Sequence, residues 1–228
     1  MGSQLYRPSV GAYGIRPDKI FFMKNSLKFF SFWLLLALCT TTVLFISCSK
    51  DDDRKKEDPL TFDKGVIING VKWATRNVAT PGTFADKPED PGMFYQWNRK
   101  MAWAATGDVT DWDATIPEGD TWEKTNDPSP AGWRVPTLAE IQSLFDTVKV
   151  NNEWITVKGV NGREFIDKAT GNTLFLTAAG FRYFCDGTLI GIGSYGGYWS
   201  STALGNGGAG WDNYGYRNEG FSVRSVAD

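Results

Sequence analysis

The 228-residue chain has no histidine and only three cysteines. Without imidazole there is no Ser-His-Asp or Cys-His arrangement, and the commonest metal-binding side chain is gone. The cysteines exclude nearly as much. Cys39 lies in an apolar N-terminal run, Cys48 closes that run, and Cys185 stands alone beyond it. With Cys48 read as a modified residue, Cys185 has no intrachain partner. Basic charge is scarce where it would matter. Of 24 basic and 26 acidic residues, five basic and one acidic lie in residues 1–47, which leaves a net charge of −6 on the rest. An acidic chain is a poor match for nucleic acid, which wants a basic stripe. No internal repeat is present. Aromatic residues and glycine are plentiful instead, with 10 Trp, 15 Phe, 8 Tyr and 25 Gly.

The N-terminal region reads as an export signal. Lys24 and Lys28 make a basic start, Phe29 to Ile46 is nearly unbroken apolar sequence, and Ser47-Cys48 ends it before an acidic stretch. A basic segment, an apolar segment and a small residue before a cleavage point define a secretory signal. A transmembrane helix is the alternative, since the apolar run is borderline in length for a span. The cysteine and the charged stop favour lipidation of Cys48. Phe45-Ile46-Ser47-Cys48 resembles a loose lipobox, and Ser49-Lys50-Asp51-Asp52-Asp53 resembles the surface-export tract of Bacteroidota lipoproteins. These readings place residues 1–47 in a signal region, with Met23 as an alternative start, and residues 48–61 in a charged tether. Residues 62–228 form one domain. They predict an outer-membrane lipoprotein, exposed at the cell surface and held to the membrane through its lipid.

Within the domain the best-defined local signal is Pro130-Ala131-Gly132-Trp133-Arg134-Val135-Pro136-Thr137-Leu138-Ala139-Glu140. Thr137 and Glu140 form a capping box, and Pro136 keeps the helix from starting earlier. Leu138, Ile141, Phe145 and Val148 recur at helical spacing, which predicts a main helix over about 137–148. Most of the remainder reads as short strands and turns. Asn69-Gly70 predicts a hairpin, and Asn161-Gly162 predicts a second, between 153–160 and 162–167. Residues 173–183 are apolar on both faces and predict one central strand. Gly220 to Val226 alternates and predicts a terminal strand. Asn98–Ser129 has little pattern, and its Trp103, Trp112 and Trp122 are expected to fill core where strands are short.

Several segments, in order, carry a resemblance. They are Ile68-Asn69-Gly70-Val71-Lys72-Trp73-Ala74-Thr75-Arg76-Asn77-Val78, Gly132-Trp133-Arg134-Val135-Pro136-Thr137, Leu174–Arg182, Gly197-Tyr198-Trp199-Ser200-Ser201-Thr202 and Ser222-Val223-Arg224. Together they resemble the Fibrobacter succinogenes major paralogous domain family over nearly all of residues 65–228. The resemblance implies an α+β fold of the C-type-lectin-like kind, related to sulfatase-modifying proteins, on surface or secreted lipoproteins. The family commonly has cysteine where this chain has Ser129 and Ser225. The resemblance therefore implies that these two positions meet in the fold.

The chemistry-bearing residues support binding better than catalysis. Sulfatase-modifying enzymes use a cysteine pair, and Cys185 has no partner for one. The carboxylate pairs Asp111/Asp113 and Glu118/Asp120 suit a glycoside hydrolase or a Ca²⁺ ion, but they lie in a polar loop without an EF-hand pattern, and no other cofactor is implied. Trp211-Asp212-Asn213-Tyr214, in a Gly-rich loop, resembles a sugar platform, with an aromatic face and hydroxyl-binding Asp and Asn. A decorated loop with one packed Trp is the plainer reading. Arg134, Arg182 and Arg224 sit inside apolar motifs and are expected to be structural. The functional expectation is a lipid-anchored binding or adhesion module for a glycan or a surface protein. A diverged hydrolase and a structural component of an envelope or appendage assembly are the alternatives.

Overall fold

The computed structural model describes residues 58–202 and 215–228. Cys48 and Trp211–Tyr214 lie outside the described residues. In chain order the strands are β1 (Val66–Ile68), β2 (Val71–Trp73), β3 (Met93–Tyr95), β4 (Ala102–Ala104) and β5 (Trp133–Arg134). The helix α1 (Leu138–Ser143) follows, then β6 (Val150–Val157), β7 (Val160–Asp167), β8 (Thr173–Thr177), β9 (Phe181–Arg182), β10 (Leu189–Ile190), β11 (Phe221–Ser222) and β12 (Val226–Ala227). The sequence leads to an α+β expectation. The described residues are instead predominantly β, with every strand pair antiparallel. Their sheets run β1-β2-β12-β5, β11-β3-β4, β6-β7-β8 and β10-β9.

The first hairpin forms as its Asn-Gly pair predicts. Ile68 faces Val71, and Asn69 and Gly70 take φ of 48° and 80°, the left-handed pair that a two-residue turn requires. The second hairpin departs from expectation. Its turn is Lys158-Gly159, with Val157 facing Val160, three residues before the predicted Asn161-Gly162. Gly162 instead lies inside β7, where a β-carbon would come within 2.6 Å of the Phe175 ring and 2.3 Å of the Leu176 carbonyl. That glycine marks a close approach of side chain and backbone, a use of glycine that reads like a turn in sequence.

The helix is also shorter than predicted. The capping box at Thr137 and Glu140 is present, but α1 ends at Ser143 rather than near residue 148. Ser143 Oγ donates back to the Glu140 carbonyl at 2.6 Å, and the carbonyl of Asp146 takes the amides of Lys149 and Val150 as the chain turns into β6. Asp, Thr and Val are weak helix formers, and this stretch prefers turn and strand. Val148, expected on the apolar face, is 81% exposed, and Val150 enters the core in its place.

The predicted central strand splits in two. β8 stops at Thr177, and Gly180, with φ of 80°, redirects the chain before β9. A β-carbon at Gly180 would meet the Ile190 carbonyl at 2.3 Å. The terminal strand splits likewise into β11 and β12, and Asn218 to Val226 is buried throughout rather than alternating.

Three apolar clusters among the described residues hold these sheets, the smallest of them Phe94, Ala105 and Ala179. One joins Ile68, Ile141, Leu144, Val150, Phe165 and Leu174 behind α1 and the β6-β7-β8 sheet. Another gathers Tyr95, Trp97, Trp122, Trp199 and Phe221. Of the three loop tryptophans only Trp122 is buried in a core cluster, packing edge-on against Trp97 at 5.9 Å, while Trp103 and Trp112, 4.8 Å apart, are half-buried.

Candidate functional site

The segment around Gly132-Trp133-Arg134 lines an open cleft on the domain. Pro130 to Gly132 makes a tight turn, with the Trp133 amide donating to the Pro130 carbonyl at 3.0 Å and Gly132 at φ 79°. β5 then pairs with β12, Arg134 facing Val226. Asp127 clamps the segment from below, since its two carboxylate oxygens accept the amides of Ser129 and Val135 at 2.8 and 2.9 Å. The Ser201 amide donates to the Pro136 carbonyl at 2.7 Å and brings in the Tyr198–Ser201 stretch. Arg134 reaches forward to Glu140 in a fork, at 2.7 and 2.9 Å. Burial opposes ionisation of Glu140, but the bonds from Arg134 and Thr137 outweigh it and hold the carboxyl below its ordinary range. The same pairing raises the Arg134 guanidinium. Planar forks of this kind fix orientation as well as charge.

The resulting cleft has a volume of about 550 Å³. Trp122 and Trp133 supply indole surface, and Thr121, Lys124, Thr137 and Ser201 supply polar groups. Trp133 is braced from outside by Phe84, edge-on at 5.6 Å, and by Lys72 Nζ at 5.8 Å from its ring. The Trp122 Nε1 is buried without a hydrogen-bond partner among the described residues. Both Asp127 oxygens hold backbone amides, so that carboxylate is a support rather than a base.

Ser129, at the edge of this cleft, meets Ser225. The Ser225 hydroxyl donates to Ser129 Oγ at 2.7 Å across 96 residues of chain. The predicted carboxylate pairs are not assembled into a site. Asp113 is tied to Arg99 at 2.5 Å and to Thr115 Oγ1 at 2.6 Å, and Asp111, Glu118 and Asp120 are exposed. Bonds from Thr115 lower the Asp113 carboxyl. Among the described residues no group of three or more Cys, Asp or Glu is placed to hold a metal ion. No helix among them is long and apolar enough to cross a membrane.

The three arginines are structural, by different means. Arg134 is paired with Glu140. Arg182, 1% exposed, makes no ion pair among the described residues and donates to the carbonyls of Ala104, Thr106, Gly107 and Gly187. Arg224 bonds Asn77 Oδ1 at 2.9 Å and the Ala74 carbonyl at 3.2 Å. Burial lowers both of the latter guanidinium pKa values from the arginine norm. Cys185 is exposed in a turn.

Some titratable residues had no signal in the sequence, Glu219 among them. Glu219 is 7% exposed, and its carboxylate accepts the Tyr216 amide at 2.8 Å. Burial pushes its carboxyl up to about 7 against that single bond. Around it, Phe184 stacks near Tyr216 at 4.8 Å and Arg217 lies 4.9 Å over the Trp97 ring.

No protein-family model matches the chain, no curated protein matches it, and no solved structure matches it.

Proposed function

We propose that the chain is a lipid-anchored, surface-displayed binding module with a C-type-lectin-like fold, and that it takes a glycan in the cleft between Trp122 and Trp133. The observation that carries the ligand class is the cleft itself, where indole surface sits beside a hydroxyl and amine rim and, of its two aspartates, Asp127 is committed to backbone amides while Asp228 is left as a rim acceptor for hydroxyls. Sugars present apolar C–H faces and hydroxyls together, and such sites match both with few fixed polar groups.

The fold reading is supported by how the resembling segments assemble. β2, β5 and β12 come from or adjoin three of those segments and lie side by side in one sheet. The Ser129–Ser225 contact is the meeting that the resemblance implies. The anchor reading rests on Cys48 and the sequence before it, and Trp211, Asp212, Asn213 and Tyr214 remain a second proposed sugar-contacting stretch.

A glycan array probed with the full chain in mild detergent, with and without Ca²⁺, tests the ligand class. Binding that Trp133→Ala abolishes supports the cleft; binding that only Trp211→Ala abolishes moves the site to the Gly-rich loop. An array without signal in either condition removes the glycan reading. Labelled fatty acid incorporated by the wild type and not by Cys48→Ser tests the anchor.

A further inference from the structure

A second cavity, of about 270 Å³, opens between the β6–β7 turn and the chain around Ala178 and Ile192. Its lining is small and apolar, with Pro91, Val160, Ala178, Ala179 and the 65%-exposed Ile192. Two of its polar side chains are already engaged. Asn161 donates to the Gly193 carbonyl at 2.9 Å and accepts from Thr156 Oγ1 at 2.7 Å, while Thr177 shares a hydrogen bond with the Tyr198 hydroxyl. One charged residue lines it. Glu89 is 6% exposed, and its ion pair among the described residues is with Lys158 Nζ, 2.8 Å from Oε1. The bond from Lys158 is the main cause holding the Glu89 carboxyl below its ordinary range. A carboxylate this buried is uncommon unless something cationic meets it.

Lys158 is an unusual residue for its place. It is the first residue of a two-residue hairpin turn, with φ of 49°. Such turns favour Asn, Asp or Gly there, because a longer side chain is strained in the left-handed region. The stem gains little from packing, since the side chain is 68% exposed. What the residue does provide is an ammonium at the cavity's one carboxylate. A residue that breaks a local preference to make a long-range ion pair marks a position where function competes with folding.

We infer that this cavity recognises an alkylammonium group, with Lys158 Nζ occupying the place on Glu89 that the ligand's ammonium takes. The apolar lining accepts a few methylenes and Glu89 accepts the charge. The volume falls just under the range of drug-sized sites, which suits a short chain. A free alkylamine and the lysine side chain of a peptide share this chemistry. The site is separate from the indole cleft and does not rest on the glycan reading.

Isothermal titration of the full chain in mild detergent, at neutral pH, reads the site with two probes. These are n-butylamine and N-acetyl-lysine methylamide, with n-butanol and butyrate as controls. Saturable binding of an amine and of neither control is expected. Binding of butylamine alone assigns a free amine, and binding of the lysine amide as well assigns a peptide side chain. Glu89→Gln should weaken binding by about tenfold or more, as loss of a charge partner does. Lys158→Met removes the internal competitor and should tighten binding about fivefold. That gain cannot arise from misfolding, so it decides the matter even if Glu89→Gln does not fold. No amine binding in either wild type or Lys158→Met overturns the assignment, and so does undiminished binding by Glu89→Gln.

Discussion

Two regions of this domain satisfy their backbones in different ways. In the β6-β7-β8 sheet two strands run eight residues each, and the ladder between them meets most of the backbone demand. The core behind it, with Ile68, Ile141, Leu144, Val150, Leu174 and Leu176, is mainly aliphatic. Around β3, β4, β9 and β11 no strand exceeds three residues. Side chains take over there. Trp97 Nε1 donates to the Ser200 carbonyl, Gln96 Nε2 to the carbonyls of Asp113 and Asn218, and Arg182 to four carbonyls. Buried carbonyls need donors wherever they come from. Long strands supply them from the backbone, and short strands require buried indole, amide and guanidinium groups.

The sharpest way to break this comparison is to remove one such donor. Arg182→Leu leaves the carbonyls of Ala104, Thr106, Gly107 and Gly187 without it, and should cost on the order of 3–5 kcal/mol or prevent folding. Leu176→Ala in the regular region should cost about 2–4 kcal/mol, the ordinary range for a truncated core leucine. Urea unfolding of the full chain measures both. If the leucine variant proves the less stable of the two, side-chain donors do not carry the irregular region as argued.

The contrast also explains what could be read from sequence. The Asn69-Gly70 turn and the Thr137–Glu140 box were legible because a few adjacent residues decide them. The lengths of α1 and β8 were not, because Val150 and Gly180 answer to partners far along the chain. Asn161-Gly162 misled because glycine serves close packing under Phe175 as well as turns. The cleft was half legible. Its motif stood out, but as a helix start, and only the meeting of β5, β12 and Trp122 shows a concave surface. Glu89, Lys158 and Glu219 carried no visible signal, since their roles come from burial.

A cross-link between Ser129 and Ser225 tests how far the irregular region depends on its ends being held. The two hydroxyls are already in contact, so Ser129→Cys with Ser225→Cys should form a disulfide under oxidising conditions. Closing a loop of this length should stabilise by about 2–4 kcal/mol. The measurement is the shift in urea midpoint between oxidised and reduced protein. Failure to oxidise would mean the β-carbons point apart.

Glu219 makes the irregular region sensitive to pH. Folding keeps its carboxyl protonated up to about 7, where the ordinary value is 4.5. The sign follows directly. Its contribution is fully present below about pH 4.5 and is lost as pH rises through about 7. Glu219→Gln keeps an acceptor for the Tyr216 amide and has no charge to bury. It should be more stable than wild type by about 1–3 kcal/mol at pH 8 and equal to it at pH 4. A difference that is the same at both pH values would remove the titration from the account.

The smallest effect belongs to the regular region. Thr137→Ala removes the side chain that accepts the Glu140 amide, and it frees the Glu140 carboxylate from one of its donors. N-cap losses cost about 1 kcal/mol. Here the loss should stay at that level, because the Arg134 fork still holds Glu140 and the Thr137 amide still bonds its Oε2. Arg134→Met with Thr137→Ala should then cost more than the sum of the two single changes, since the pair shares one carboxylate. A strictly additive result in urea unfolding would mean that the helix start is held by its local cap alone, and that the fork serves the cleft wall rather than the helix.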